Sequence, residues 1–594
     1  MSIDPDCKDF FRSGLVTSTD HDLLDYLPSI VVKDLARDRY SSNNVVLHNL
    51  ETVALFGDVS GFTALSERFA NEELSEGRGA EKLAFHLNAY LTATAMFIAA
   101  AGGDIFKFAG DAIIVLWPEN SAPDMPARVR LAVEAGVTIQ KHLHNAALGD
   151  EQVRLSIKVG IGCGAVSVAH LGGVCDSDGQ HQFEAICIGP AMIQSFGAEH
   201  HSVSGDVVVS SDVWKICSEY CDGSNALGGY WKIHGIVDNV VSKPASLSEQ
   251  KYSQNKIETI LRRARRYVPR AVQPFLNLSH EFWGSEMRRV SVLFVNLGFV
   301  DKELASMLDE SFALRLNRAF RCVQDAIYMY DGQINKFLVD DKGSTLIAVF
   351  GLPPKSHEND APRSVLAAMA LTSSLLLDGL KASVGLTNGL VFCGVVGAHG
   401  GRREYTVLGD VVNLSARLMQ HAMKHQKSIV CDSTIEYLSR TRIDFERMGE
   451  ILVKGKKNLI ETWSPTNNLH QQHEEHDILA NSTTLKNHSC LPDDVLLTSR
   501  RRVQSIRTRS IGSRPPSESV QHGRSRAMSS LMHENDEIIA STREMEQTIT
   551  ALEEWRKHTV RAAGSHSSLT RRTETIASKM SNNPCFLDDS AKDQ

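Results

Sequence analysis

Residues 53–69 read VALFGDVSGFTALSERF: an apolar, partly β-branched run that stops at Asp58, a polar loop containing glycine, then helix-forming residues. That is the pattern of a buried strand handing over to a loop and a helix start. It returns at 290–305 as VSVLFVNLGFVDKELA, and three further stretches return with it. GGDIFKFAGDAIIVLW (102–117) is matched by DGQINKFLVDDKGSTLIAVF (331–350), each of them two alternating runs around a tight turn and therefore a hairpin. IKVGIGCGAVSVAHLGG (157–173) is matched by ASVGLTNGLVFCGVVGA (382–398), and CIGPAMIQSFGA (187–198) by VLGDVVNLSARLMQ (407–420). A self-similarity at an interval of roughly 230 residues marks a duplication. Between the landmarks, EKLAFHLNAYLTATAMFIAAA and PRSVLAAMALTSSLLLDGL carry apolar residues at i, i+3 and i+4 and are read as helices. Strand, helix, hairpin, helix, strand predicts two domains of α/β type. Each would set one sheet face against helices and leave other faces or edges to meet across a cleft.

The spans follow: an N-terminal extension over 1–44, a first domain over 45–235, a linker over 236–285 with a basic helical stretch, a second domain over 286–465, and a tail over 466–594. The tail is rich in Arg, Ser, His and Asn, and its composition predicts disorder broken by one amphipathic helix over 537–558. The chain has 594 residues, 42% hydrophobic and 23% charged, which excludes a purely disordered or collagen-like protein. Its 63 basic against 71 acidic residues, net −8, give no reason to expect a coat for nucleic acid or an anionic membrane. The start lacks an apolar leader pattern, and the longest apolar stretch, YLTATAMFIAAA (90–101), is short for a bilayer, so no transmembrane segment and a cytoplasmic location are expected. Eleven scattered Cys without metal-ligand spacing read as reduced thiols.

The chemistry gathers at two aspartates. Asp58 ends the first strand and Asp111 sits at the turn of the next hairpin, so pairing of the two elements would bring both carboxylates to one end of the sheet. Asp also favours turns and caps by itself. Two carboxylates nevertheless suit Mg²⁺, which takes the rest of its shell from water and substrate phosphates. The backbone N–H groups of Val59, Ser60, Gly61, Phe62 and Thr63 lead into a helix N-terminus and are candidates for cradling phosphate.

FGDVSGFTALSERF with FKFAGDAIIVLW resembles the catalytic signature of class III nucleotide cyclases, and INKFLVDDKGS, GLVFCGVVG and REYTVLGDVVNLSARL resemble the partner half. The likeness is greatest to the tandem domains of bicarbonate-responsive soluble adenylyl cyclases and covers roughly residues 45–465. It implies two ferredoxin-like, palm-type α+β sandwiches forming a pseudo-symmetric pair within one chain, which make 3′,5′-cyclic AMP and pyrophosphate from ATP for intracellular signalling. It makes Asp58 and Asp111 the ligands of two Mg²⁺ or Mn²⁺ ions, with the Val59 carbonyl as a further ligand. Lys336 and Thr406 become the adenine selectors, Asn413 the ribose-positioning residue and Arg417 the stabiliser of the transition state. Lys158, with Arg154 nearby, becomes the triphosphate contact. A Lys ammonium can donate to adenine N1 and a Thr hydroxyl can accept from the 6-amino group, whereas guanine would need an acceptor at N1–H. Asn413 and Arg417 lie four apart and so share a helix face.

The second half has Asn296 where the first has Asp58, so one composite site is expected. Lys107, the counterpart of Lys336, becomes a candidate anion-activator pocket, but Phe196 and Gly197 stand where the family's arginine is expected, which predicts weak bicarbonate response and a lysine head in solvent. The alternatives are a guanylyl cyclase and a catalytically weak regulatory protein of the same fold whose tail binds a regulatory partner.

Overall fold

The computed structural model describes residues 23–39, 45–61, 65, 68–69, 79–238 apart from 120, 123 and 148–153, then 244, 252–276, 285–299, 301–304, 309–340, 343–397, 401–452 and 459–468. All belong to the first of two units, Met1–Gln471. The expected helix at 537–558, and with it the tail, lies outside the described residues.

Among those residues the first half builds one sheet from β1 (Val46–Ser60), β2 (Asp104–Ala109), β3 (Ala112–Trp117), β4 (Ala146–Ala147), β5 (Arg154–Cys175), β6 (His181–Ile188), β7 (Val207–Val209), β8 (Cys221–Asn225) and β9 (Trp231–Ile236). The order is β2-β3-β1-β5-β7-β9-β8, with β4 and β6 also paired to β5. The second half repeats it with β10 (Glu286–Asn296), β11 (Gln333–Asp340), β12 (Gly343–Phe350), β13 (Ser383–Gly397), β14 (Arg403–Leu408), β15 (Ile429–Asp432), β16 (Ile443–Ile451) and β17 (Ile460–Asn468), in the order β11-β12-β10-β13-β15-β17-β16 with β14 on β13. The duplicated α/β architecture expected from the sequence is present. Apolar runs place the central strands: every residue of AIIVLW in β3 is buried, as are Val53, Ala54 and Leu55 beside it.

Helices Gly79–Ala100 and Met125–Leu143 cover the first sheet, and Glu310–Met329 and Asp360–Leu377 the second. The stretch expected to be too short for a membrane lies in the 22-residue Gly79–Ala100 helix, whose segment Lys82–Ala100 is long and apolar enough to cross one. Its Leu83, Leu87, Tyr90, Leu91 and Ile98 are core residues of the first half.

The two halves exchange arms. Ala169, Leu171, Ile186 and Ile188 of β5 and β6 sit in the core of the second half, while Phe392, Val396 and Leu408 of β13 and β14 sit in that of the first. The exchange is locked by mirrored amides: Gly397 N–H donates to Asn88 Oδ1 at 3.1 Å, and Gly172 N–H donates to Asn317 Oδ1 at 2.8 Å. A third core between the halves also takes in Leu27, Val31 and Leu35 around helix Ser29–Ala36, and Ile260 and Leu261 of helix Gln254–Ala264. In each half the helix after the last landmark lies directly on its strand. A Cβ on Gly385 would collide with Ser415 O of helix Asp410–Lys424, and one on Gly160 with Ser195 O of helix Pro190–His200. Glycine at Gly385 therefore sets how closely the helix bearing Asn413 and Arg417 approaches the sheet.

Candidate active site

Antiparallel pairing of β1 with β3 puts Asp58 opposite Ala112, and Val59 N–H donates to Asp111 C=O at 3.0 Å. Asp58 and Asp111 therefore leave neighbouring strands at the same end of the sheet, both partly exposed. The chain can turn there because Gly61 adopts φ +94°, and a Cβ at this position would strike the Arg154 carbonyl. Ser60 and Gly61 lie at that turn; Phe62 and Thr63 lie outside the described residues. Carboxylate oxygens at one end of a sheet are hard donors of the kind Mg²⁺ and Mn²⁺ take. Among the described residues no group of three His, Cys, Asp or Glu gathers as a closed metal cage.

Lys158 faces Asp58 across the β1–β5 ladder. Its Nζ lies 3.8 Å from the Asp58 carboxylate and 3.1 Å from Glu199. Burial opposes its charge, but Glu199 first and then Asp58 more than compensate and raise its pKa, so a protonated amine stands beside the aspartate pair. Arg154, four residues back, donates to Asn145 O at 3.4 Å.

From the second half, Lys336 and Thr406 meet the β2–β3 hairpin of the first. Lys336 Nζ donates to Thr406 Oγ1 at 2.8 Å and, across the interface, to Phe108 O at 2.6 Å, three residues before Asp111. Both residues are buried, at 1% and 0% exposure. Desolvation lowers the Lys336 pKa to about 8, with the Glu404 and Asp111 carboxylates pulling the other way. Asn413 and Arg417 lie one turn apart, half-buried, on helix Asp410–Lys424.

Residues 285–464 match the family described as the adenylate and guanylate cyclase catalytic domain. In that half the chain is similar to the class III nucleotide cyclases. Its relatives include adenylate cyclase type 10 of Homo sapiens, 27% identical over 435 residues that cover 69% of this chain and 26% of that protein. An uncharacterized protein of Mycobacterium tuberculosis, Rv1320c, is 30% identical over 217 residues, 36% of this chain and 37% of that one. A solved structure of a class III adenylyl cyclase-like ATP-binding protein from Pseudomonas aeruginosa is 12% identical, covers 71% of this chain and 92% of that chain, and superposes with a TM-score of 0.43. The chain spans about a quarter of the length of its type 10 relatives.

The twin of this site departs from the expectation of a solvated lysine head. Lys107 is buried, its ammonium ion-paired with Glu184 and donating to Ala185 O at 3.1 Å and Phe337 O at 3.0 Å. The reason lies in the repeat: the counterpart of Thr406 is Ile186, which has no hydroxyl, so the lysine takes the carboxylate two residues earlier. The place of Arg417 is held by Gly197, over which Tyr230 packs so closely that an added Cβ would collide with its hydroxyl. The Lys107 ammonium is thus already met by the chain's own Glu184 carboxylate.

Sequence reasoning passed over Glu404, Arg402, Glu199 and the two interface asparagines. A signal existed for Glu404, since the repeat places Glu184 and Glu404 at equivalent positions in FEAICIG and REYTVLG. None existed for Glu199, whose meeting with Lys158 depends on helix Pro190–His200 lying on β5.

Proposed function

We propose that the chain is an adenylyl cyclase with a single composite site, turning ATP into 3′,5′-cyclic AMP and pyrophosphate. The observation that carries the reading is the bond from Lys336 to both Thr406 and Phe108 O, which sets the base-selecting pair of one half against the Asp111 hairpin of the other. The 27% identity to an adenylate cyclase supports it. Two divalent ions held by Asp58, Asp111 and the Val59 carbonyl would supply charge neutralisation at the attacking oxygen and the triphosphate. The remaining roles fall to the protein. The backbone N–H groups of Ser60 and Gly61, and by sequence those of Phe62 and Thr63, are assigned to phosphate, and Lys158 to the triphosphate. Lys336 and Thr406 read adenine, Asn413 orients the ribose, and Arg417 stabilises charge on the α-phosphate as it grows. The ribose 3′ oxygen, giving its proton to solvent, bonds to the α-phosphorus in line as the bond to the β-bridging oxygen breaks and pyrophosphate leaves.

The test is a cyclic nucleotide assay of the purified full chain with ATP or GTP and Mg²⁺ or Mn²⁺. ATP is expected to be the better substrate, and Lys336→Glu with Thr406→Cys to move the preference toward GTP, because a pocket that hydrogen-bonds one base edge leaves buried groups unmatched with the other. Sodium bicarbonate in the same assay is expected to leave the rate unchanged, since Glu184 already occupies Lys107. An ATP:GTP ratio that does not move in the double variant would relocate the purine pocket.

A further inference from the structure

β2 is an edge strand of the first sheet, paired only with β3, and its outer edge is met by charged side chains of the second half instead of by another strand. Phe108 N–H donates to Glu404 Oε2 at 3.0 Å. Phe108 O accepts from Lys336 Nζ at 2.6 Å, and Phe106 O accepts from Arg402 Nη2 at 3.4 Å. Arg402 closes the set by donating to Glu404 Oε2 at 3.0 Å. Phe108 is thus gripped at both ends of its backbone from across the interface, and the turn that presents Asp111 starts two residues later.

The twin shows why this grip is specific to one half. Glu184, equivalent to Glu404, is drawn onto Lys107 because Ile186 offers that lysine no hydroxyl. In the second half Thr406 takes a bond from Lys336, and the Glu404 carboxylate turns instead to Phe108 N–H. Glu404 is 8% exposed, so it answers to the protein and not to solvent. A buried N–H on an otherwise open strand edge needs such an acceptor, because a buried donor left without one is costly and would let the edge shift.

We propose that Glu404 is a positioning residue for the metal site: by holding Phe108 N–H it fixes the hairpin that carries Asp111, and so couples metal binding in the first half to the purine pocket of the second. The inference rests on the reading of Asp58 and Asp111 as metal ligands. The role depends on the reach of the side chain more than on its charge, and two conservative variants separate these. Glu404→Gln keeps the reach and an acceptor oxygen but loses the charge; Glu404→Asp keeps the charge but falls short of Phe108 N–H.

The experiment titrates Mn²⁺ into the full chain in the presence of adenosine 5′-(α,β-methylene)triphosphate, an ATP analogue that cannot cyclise, and follows free Mn²⁺ by electron paramagnetic resonance. Turnover with MnATP is measured in parallel. E404D is expected to raise the Mn²⁺ half-saturation about tenfold, the scale on which loss of a group supporting a metal ligand acts, and E404Q to stay close to wild type. E404D binding Mn²⁺ like wild type, or E404Q losing as much as E404D, would overturn the proposal. Because the binding arm needs no turnover, a wild type that binds Mn²⁺ with the analogue yet makes no cyclic AMP would defeat the cyclase reading while leaving the role of Glu404 decided by the variants.

Discussion

Lys336 is where the chemistry of one side chain is most exposed to measurement. Its ammonium is buried among Thr406, Phe108 O, Glu404, Asp111, Arg402 and Lys107, and desolvation brings its pKa down to about 8. Below that pH it carries a proton and donates a charge-assisted bond; above it the amine is neutral and the bond to a ring nitrogen weakens. kcat/KM for ATP, which reports the free enzyme, is therefore expected to fall as pH rises through about 8. In Lys336→Met that alkaline limb should be gone, at a lower plateau. A limb at the same pH in the variant would assign it to another group. Lys336 and Thr406 themselves were legible in the sequence from INKF and REYTVLG. The acceptor Phe108 O was not, because it lies 228 residues from Lys336 and meets it only once both sheets have formed.

Among the elements, the first strand, the hairpin, the long third strand and the long helices of each half were legible from their apolar patterns, whereas the short strands β7–β9 and β15–β17 were not. Helix Ser29–Ala36, within the stretch read only as an N-terminal extension, was not either, being eight residues long with two charges, Lys33 and Asp34, inside it. Asp34 in that helix is fully buried and takes His48 Nδ1 at 3.1 Å, His170 Nε2 at 3.3 Å and Arg39 Nη1 at 3.3 Å. Burial alone would raise its pKa, but the bonds to His170 and His48 outweigh that and hold it at about 2. A carboxyl whose pKa is lowered by folding adds stability above its ordinary value near 3.8, and this is lost as pH falls toward 2. Asp34→Asn strips the anion from its partners and is expected to cost on the order of 3 kcal/mol near neutral pH. The variant's deficit in thermal unfolding should shrink in acid, below about pH 3. A deficit that does not change with pH would show that packing, and not charge, fixes the helix.

At the scale of the whole molecule, duplication makes two equivalent sets of positions, and the proposed function assigns the chemistry to one of them. The first half retains Asp58 where the second has Asn296, and the second retains Thr406, Asn413 and Arg417 where the first has Ile186, Ile193 and Gly197. The repeat and this asymmetry could be read from the sequence; that Glu184 pairs with Lys107 and Tyr230 packs over Gly197 could not, since neither motif carries a mark of what packs on it. Each half is thus expected to hold only part of the site, and a variant on either side should silence the whole. The measurement that tests this most directly is cyclic AMP formed from ATP and Mn²⁺ by the full chain, set beside Asp58→Ala, Asp111→Ala and Arg417→Ala, each checked for an unchanged melting temperature. The composite site predicts that all three fall by about a hundredfold or more while remaining folded. Activity undiminished in the two aspartate variants would contradict it.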